Sequence, residues 1–392
     1  MLTPASLAEL QQIIADAADT GEQLEVVGGG SKRWYGRRVA ARDTLSLAGF
    51  AGVVDYQPEE LICIAKPATP LHALEKLLEE KGQMLAFEPP HWGDSATLGG
   101  TIACNQSGPR RFKAGAARDH LLGFQAVTGR GDAVRGGGKV VKNVTGYDLS
   151  KLMCGSFGTL GVFTELCVKV LPRPETERTV VVRGMEEAEA LTLLRDISRT
   201  PHEPSGLACL PTGFPMPPSL LGFQGNPKPM ALIRIEGPER SVGQRVEAVA
   251  SMAKGQAIPL ERIQSRGLWR ALRELEGMHL APGQRLWRVS VPPDRGQQVM
   301  DALRRVGSVR GFYDWGGGLV WAILPASADG AVHPAALAAG GHARVLRNAA
   351  GVAAANDVFG PLPEAQRKIH DQLKQAFDPS GILNPGRMYA GI

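Results

Sequence analysis

The sequence predicts an α+β protein of two domains, and three observations carry that reading. At 392 residues the chain is longer than one compact core usually holds. Short β-rich runs alternate with runs of helical period along its length. The tract Pro172-Arg173-Pro174 interrupts that alternation, and the texture of the sequence changes beyond it. The expected division is a first domain over 1–172, an α+β domain on an antiparallel sheet over 173–350, and a C-terminal helix and tail over 351–392.

In the first domain a helix opens at Ser6 and fades at Gly21, and QLEVVGGG follows as a strand delivered into glycine. GVVDYQ and LICIAKP read as strands that end at Pro67. Pro70 to Lys81 has apolar residues at 71, 74, 77 and 78, a helical period with proline in its first turn and Gly82 closing it. LLGFQAVT and DAVRGG form a hairpin about GRGD, Tyr147 to Cys154 a short helix, and Gly161 to Leu171 a strand. In the second domain TVVVRG, LACLPTG, MALIRIEG, LWRVSVP, RGFYDW, GLVWAILP and HARVLRNA supply strands. MEEAEALTLLRDIS, RSVGQRVEAVASMA and RGQQVMDALRRV supply helices. Pro363 to Ala376 is helical and leads into the turn-rich FDPSGILNPGRMY.

Composition removes several function classes. Hydrophobic residues make up 43% and charged residues 21%, the balance of an ordinary globular protein. The net charge of +5 is spread along the chain, and its densest basic cluster, RGGGKVVK at 135–142, is moderate, so no nucleic-acid partner is expected. No run approaches the roughly 18–20 apolar residues that span a bilayer. The N-terminus lacks a basic leader and reads as an amphipathic helix, so a cytoplasmic location is expected. Cys63, Cys104, Cys154, Cys167 and Cys209 form no C-x-x-C pair, so no iron–sulfur cluster or metal site is expected and buried free thiols are.

Two glycine loops suit a phosphate-bearing ligand. Gly28, Gly29 and Gly30 follow a strand and precede Ser31 and Lys32, which add a hydroxyl and a positive charge. Successive glycine N–H groups at a strand end form an anion-binding nest. The Rossmann fingerprint fails there, because its third glycine is Arg33, and fails again at Gly136 and Gly138, where Val141 stands in its place. A plain turn explains three glycines equally well. The second loop, Thr97-Leu98-Gly99-Gly100-Thr101-Ile102-Ala103, offers hydroxyls and bare backbone at a helix start, continued by Asn105, Ser107 and Gly108. Its alternative is close helix–strand packing.

Together, VVGGGSK at 26–32 and the stretch from Phe87 to Pro174 resemble the FAD-binding domain of the vanillyl-alcohol oxidase (PCMH-type) flavoproteins. Within that superfamily the chain most resembles the smaller FAD-binding subunit of bacterial glycolate oxidase. The resemblance is dense over residues 20–175 and returns over 375–392. It implies a two-part PCMH-type FAD-binding domain, an α+β cap, and a tail that returns to the FAD domain. It implies that Gly28 to Lys32 and Thr97 to Gly100, with Gly99, Ser107 and Gly108, enclose the FAD pyrophosphate. Gly158, Gly161 and Val162 would meet adenine and ribose, with Asp119, Gly146, Tyr147 and Asp148 near the cofactor. His91 is either a flavin contact or a packed histidine. The first loop holds Ser31, Lys32 and Arg33 where some members carry a flavin-linking histidine, so non-covalent FAD is expected.

A 2-hydroxy acid needs an arginine for its carboxylate and a base for its hydroxyl. The H-x-G-D-G-N motif of the larger catalytic relatives is absent. Its nearest counterpart is Gly340 to Asn348, where His342 and Arg344 alternate on one strand, as catalytic groups or as a solvated face. Asn384 and Arg387 resemble the returning tail and either reach flavin or substrate or serve the turn alone. His342, Arg344 and Arg387 are thus the catalytic candidates. The resemblance implies oxidation of glycolate to glyoxylate, with electrons passing through flavin to an iron–sulfur subunit beside a larger FAD subunit. Any association with the inner membrane would run through those partners. A flavin-bearing assembly subunit without chemistry, or a stand-alone oxidase of another hydroxy or sugar acid, are the alternatives. Trp269, Trp287, Trp315 and Trp321 crowd the second domain, as core or as a partner patch.

Overall fold

The computed structural model describes residues 1–139, 146–215, 228–348 and 358–392. The side chains of residues 347 and 348, residues 140–145 of the basic run and of NVTGYDL, and the expected boundary at 350 lie outside the described residues. The chain forms two units. The first contains Met1–Ser107, Gly115–Arg173 and the C-terminal 358–392; the second contains Gly108–Ala114 and the chain from Pro174 to 348.

In the first unit, α1 (Leu7–Thr20) has the ends its sequence dictates. The Ser6 hydroxyl accepts from the N–H of Glu9, Gly21 closes the helix at φ 71°, and Leu10, Ile14 and Ala17 face the core. β1 (Leu24–Val27) pairs in parallel with β2 (Asp43–Ser46), a strand that the sequence reading lacked. β3 (Val53–Gln57), β4 (Ile62–Ala65), β6 (Leu121–Val127), β7 (Ala133–Gly137) and β8 (Val162–Lys169) form an antiparallel sheet of order β3-β4-β8-β6-β7. α2 (Leu71–Glu80) buries Leu71, Leu74 and Leu78; Pro70 is its N-cap residue and does not lie inside its first turn. β5 (Gln83–Met84) pairs with β9 (Leu171–Pro172), which separates the end of the expected 161–171 strand from β8. α3 (Leu98–Ala103), α5 (Ala117–His120) and α6 (Leu149–Met153) are short. α6 is shorter than the expected 147–154 helix because Asp148 caps it, accepting from Lys151 N–H at 3.1 Å, and leaves Tyr147 outside. α12 (Glu364–Phe377) precedes the tail.

The second unit is built on eight antiparallel strands. These are β10 (Thr176–Arg183), β11 (Gly206–Leu210), β12 (Met230–Gly237), β13 (Gln256–Leu260), β14 (Gln284–Ser290), β15 (Arg310–Asp314), β16 (Leu319–Pro325) and β17 (His342–Asn348). Their order is β13-β10-β12-β11-β15-β16-β14-β17. The helices are α4 (Arg111–Ala114), α7 (Glu187–Ser198), α8 (Glu239–Ser251), α9 (Arg262–Glu274), α10 (Gly296–Arg304) and α11 (Asp329–Ala338). Tyr313 on β15 donates to Glu187 on α7 at 2.5 Å, and Trp287 on β14 donates to Asp329 on α11 at 3.2 Å, which marks one face as helix-covered. Neighbours along those strands, Phe312 and Arg288, point to the other face. That second face carries Arg234, stacked 4.6 Å from the ring of Trp269 on α9. Trp269, Trp287, Trp315 and Trp321 are between 1% and 8% exposed, so all four are interior residues and no tryptophan partner patch exists among them. All five cysteines are buried and stand outside any disulfide. Among the described residues no helix is long and apolar enough to cross a membrane.

Candidate functional site

In the first unit the glycine-rich segments converge on one groove. β1 delivers the chain into Gly28-Gly29-Gly30 close against the residues before α3. A Cβ on Gly29 would stand 1.6 Å from Ser95 O, and one on Gly28 would stand 2.9 Å from Thr97 Oγ1. Glycine alone permits that approach. The groove has a volume of about 510 Å³ including its open mouth, and Ser31, Lys32, Gly100, Cys104, Phe157 and Arg387 line it beside the three glycines. A second cleft of about 420 Å³ continues from it along Gly99, Gly158, Gly161 and Val162, sharing Gly28, Gly100, Phe157 and Asn384 with the first.

Its donor set suits a doubly charged pyrophosphate. The N–H groups of Gly28, Gly29, Gly30 and Ser31 find no acceptor among the described residues. Buried cations stand on the same wall. Lys32 is 6% exposed and donates to Ser31 Oγ at 3.2 Å, and Arg387 Nη2 donates to Lys32 O at 3.0 Å. Burial holds the Arg387 guanidinium below its usual range, and it remains a cation. Ser156 Oγ, next to groove-lining Phe157, and Thr101 Oγ1 on α3 are buried without a hydrogen-bond partner among the described residues. A bare glycine cradle and two buried cations fit the pyrophosphate end of FAD. Arg33 also lines the groove, where it pairs with Glu25.

Asn384 ties the groove together. Its Oδ1 accepts from Val26 N–H at 2.8 Å, and its Nδ2 donates to Phe157 O at 2.7 Å. A Cβ on Gly158 would meet that Nδ2 at 2.8 Å, which explains a glycine there at φ 71°. Thr97 caps α3 by accepting from Gly100 N–H at 3.2 Å, and Gly99 packs on Pro67, so the second loop serves packing and groove together.

Other candidates lie elsewhere and are held by local structure. His91 Nε2 is 2.9 Å from Glu75 Oε2 and lines neither cleft. Ser107 Oγ accepts from Ala117 N–H at 2.9 Å, and Asp119 Oδ2 accepts from Ala116 N–H at 2.9 Å, so both organise α5. Gly108 belongs to the second unit, where its carbonyl accepts from Trp315 Nε1 at 3.3 Å. Tyr147 is 94% exposed, Asp148 is the α6 cap, and Gly146 turns the chain at φ 80°. The groove residues that sequence reasoning missed are Cys104, Phe157 and Glu25. Phe157 had one signal, its place before the glycine of GSFGTLG, where it adopts φ 56°.

Of the three catalytic candidates, Arg387 lines the groove and the other two stand in the second unit. His342 and Arg344 alternate on β17 and face the same side. His342 remains partly exposed. The surrounding protein, and then the guanidinium groups of Arg344, Arg288 and Arg111, lower its imidazole from 6.5 to about 4.

Comparison with known proteins agrees with this geometry. Residues 1–137 match the FAD binding domain family, and residues 351–388 match the C-terminal domain of FAD linked oxidases. The chain is 37% identical over 388 residues to glycolate oxidase subunit GlcE of Escherichia coli (strain K12), covering 99% of this chain and 97% of that protein. It is 27% identical over 368 residues to glycolate oxidase subunit GlcD of Bacillus subtilis (strain 168), covering 86% of this chain and 77% of that protein. Among solved structures, p-cresol methylhydroxylase with substrate bound superposes with a TM-score of 0.70 at 14% identity, covering 98% of this chain and 87% of that one, a likeness of fold.

Proposed function

The chain belongs to the FAD-linked oxidase family that includes glycolate oxidase subunit GlcE, and from that premise we propose that it is the smaller FAD-binding subunit of a glycolate oxidase complex. It is an FAD-dependent oxidoreductase. The reaction we assign is oxidation of glycolate to glyoxylate, with the electrons leaving for an iron–sulfur subunit beside a larger FAD subunit. The observation that carries this reading is the 37% identity running almost end to end in both chains.

FAD, when bound, supplies the acceptor for the two electrons and the hydrogen that leave carbon 2. The backbone N–H groups of Gly28 to Ser31, with Lys32 and Arg387, would hold its pyrophosphate. Gly158 to Val162 would border the adenosine end. His342, neutral at pH 7 because its imidazole titrates near 4, is the proposed acceptor of the hydroxyl proton, at its unprotonated ring nitrogen. Arg344 beside it is the proposed partner of the carboxylate.

An anaerobic absorption spectrum tests the proposal. The purified chain should be yellow, and glycolate should bleach it, alone or once mixed with its partner subunits. A chain that takes up no FAD, or whose flavin stays oxidised in both settings, overturns the reading.

A further inference from the structure

A carboxylate stands on the wall of the anion groove. Glu25 on β1 and Arg33 flank the glycine cradle in the chain, and both line the first cleft. Arg33 Nε donates to Glu25 Oε1 at 2.9 Å and Arg33 Nη2 donates to Glu25 Oε2, a two-pronged grip. The cradle itself fixes that grip. Arg33 N–H donates to Gly30 O at 3.2 Å, and a Cβ on Gly30 would stand 3.6 Å from Arg33 Cδ. Arg387 lies within electrostatic reach of both partners. Burial lowers its guanidinium; Cys104 and Glu25 then favour its charged form, and Arg33 opposes it.

A carboxylate so placed works against the ligand that the groove suits. The pair is neutral as a whole, and unequal burial decides its field. The Arg33 side chain is 55% exposed and screened by water, whereas that of Glu25 is 14% exposed and acts from inside the wall. The groove thus keeps a repulsive element that every phosphate ligand meets, and such elements set specificity. Neither residue lines the second cleft, so the pair stands at the end of the groove away from the proposed adenosine end. Beyond its pyrophosphate FAD continues into an uncharged chain of hydroxyls, which a carboxylate accepts from. Adenosine diphosphate ends instead in a terminal phosphate, which carries roughly one further charge at neutral pH.

We propose that Glu25, masked by Arg33, is a selectivity residue of the groove: it admits the pyrophosphate diester of FAD and disfavours free nucleotides that end in a terminal phosphate. The inference rests on FAD lying in the groove as assigned above, and it is independent of which acid is oxidised.

The test titrates the full-length chain, freed of flavin, with FAD and with adenosine diphosphate by calorimetry. The unmodified chain should prefer FAD. Glu25→Gln should tighten adenosine diphosphate about tenfold relative to FAD, the effect of one nearby charge. Misfolding does not produce a gain in affinity, so this outcome is separate from a damaged strand. Arg33→Gln unmasks the carboxylate and should widen the preference for FAD. Glu25→Asp keeps the charge and should hold the preference near that of the parent. An unchanged preference in Glu25→Gln, or Glu25→Gln and Arg33→Gln moving it in the same direction, overturns the proposal and leaves the pair a staple between β1 and the cradle. No FAD binding by the unmodified chain overturns it as well. A narrowed preference in Glu25→Gln, in a protein whose bound flavin glycolate never reduces, alone or with its partners, supports the selectivity residue and removes the oxidase reading.

Discussion

The side chain of Asn384 joins the end of β1 to the carbonyl of Phe157, accepting from Val26 N–H at 2.8 Å and donating to Phe157 O at 2.7 Å. Residues 358 positions apart in sequence thereby set the width of the groove in which the glycine cradle stands. Asn384→Ala removes the partners of two backbone groups in a residue that is 4% exposed. The expected cost is about 2–4 kcal/mol of stability, with FAD affinity weakened by about tenfold or more. Chemical denaturation and flavin fluorescence titration measure the two effects. Normal FAD affinity in a folded variant would show that Asn384 anchors the tail without shaping the groove.

Gly29 and Gly21 separate two reasons for glycine. Gly29 leaves no room, since an added Cβ would sit 1.6 Å from Ser95 O. Gly21 has open space and needs only its left-handed backbone at φ 71°. Gly29→Ala should therefore force the two loops apart, costing about 3 kcal/mol and abolishing FAD retention on gel filtration. Gly21→Ala should cost about 1–2 kcal/mol and leave the yellow colour intact. Equal flavin content in the two variants would contradict the role given to the Gly28–Gly30 cradle.

What was legible in the sequence was local. The caps at Ser6 and Gly21, the glycine triple after β1 and the alternation along β8 are decided by neighbours within a few residues. β2 escaped because DTLS has no strand pattern of its own and gains its structure only by pairing with β1. α11 escaped because Pro334 lies inside it and reads as a breaker, and α9 because Gly267 and its arginines interrupt the apolar period. The groove was half visible for the same reason. Gly28 to Lys32, Thr97 to Gly100 and Gly158 to Val162 stand in short motifs, with Phe157 beside the last, whereas Cys104 reaches the groove only through the fold. His91, Asp119 and Tyr147 lie near motifs in sequence, and the fold sets them against Glu75, at a helix start and in solvent. The grip of Arg33 on Glu25 reaches back across the cradle, and no spacing announces it.

A buried ion pair fastens α12 to the groove. Lys374 Nζ donates to Asp378 Oδ2 at 2.7 Å, Thr159 O at 2.9 Å and Leu383 O at 3.0 Å, while Asp378 accepts from the N–H groups of Ile382 and Leu383. Lys374→Met leaves a carboxylate that is 0% exposed without its cation, at a cost of about 3–5 kcal/mol. Asp378→Asn keeps one acceptor oxygen and should cost less. Urea midpoints rank the two, and excess FAD should recover part of each loss by mass action. A loss below about 1 kcal/mol for Lys374→Met would reduce the pair to a surface-like contact.

Acid should loosen the second unit through His342. Its folded imidazole titrates near 4, against an ordinary value of 6.5, because the surrounding protein and then Arg344, Arg288 and Arg111 disfavour the charged form. Between those values the unfolded chain binds a proton that the folded chain refuses, so stability is complete above pH 6.5 and falls as the pH drops toward 4. His342→Gln removes that proton uptake. Urea midpoints taken at about pH 7 and about pH 5 should therefore fall less in the variant than in the parent chain, all other titrating groups being common to both. Identical falls would mean that the imidazole keeps its ordinary titration, and with it that Arg344, Arg288 and Arg111 do not crowd the same small volume in solution.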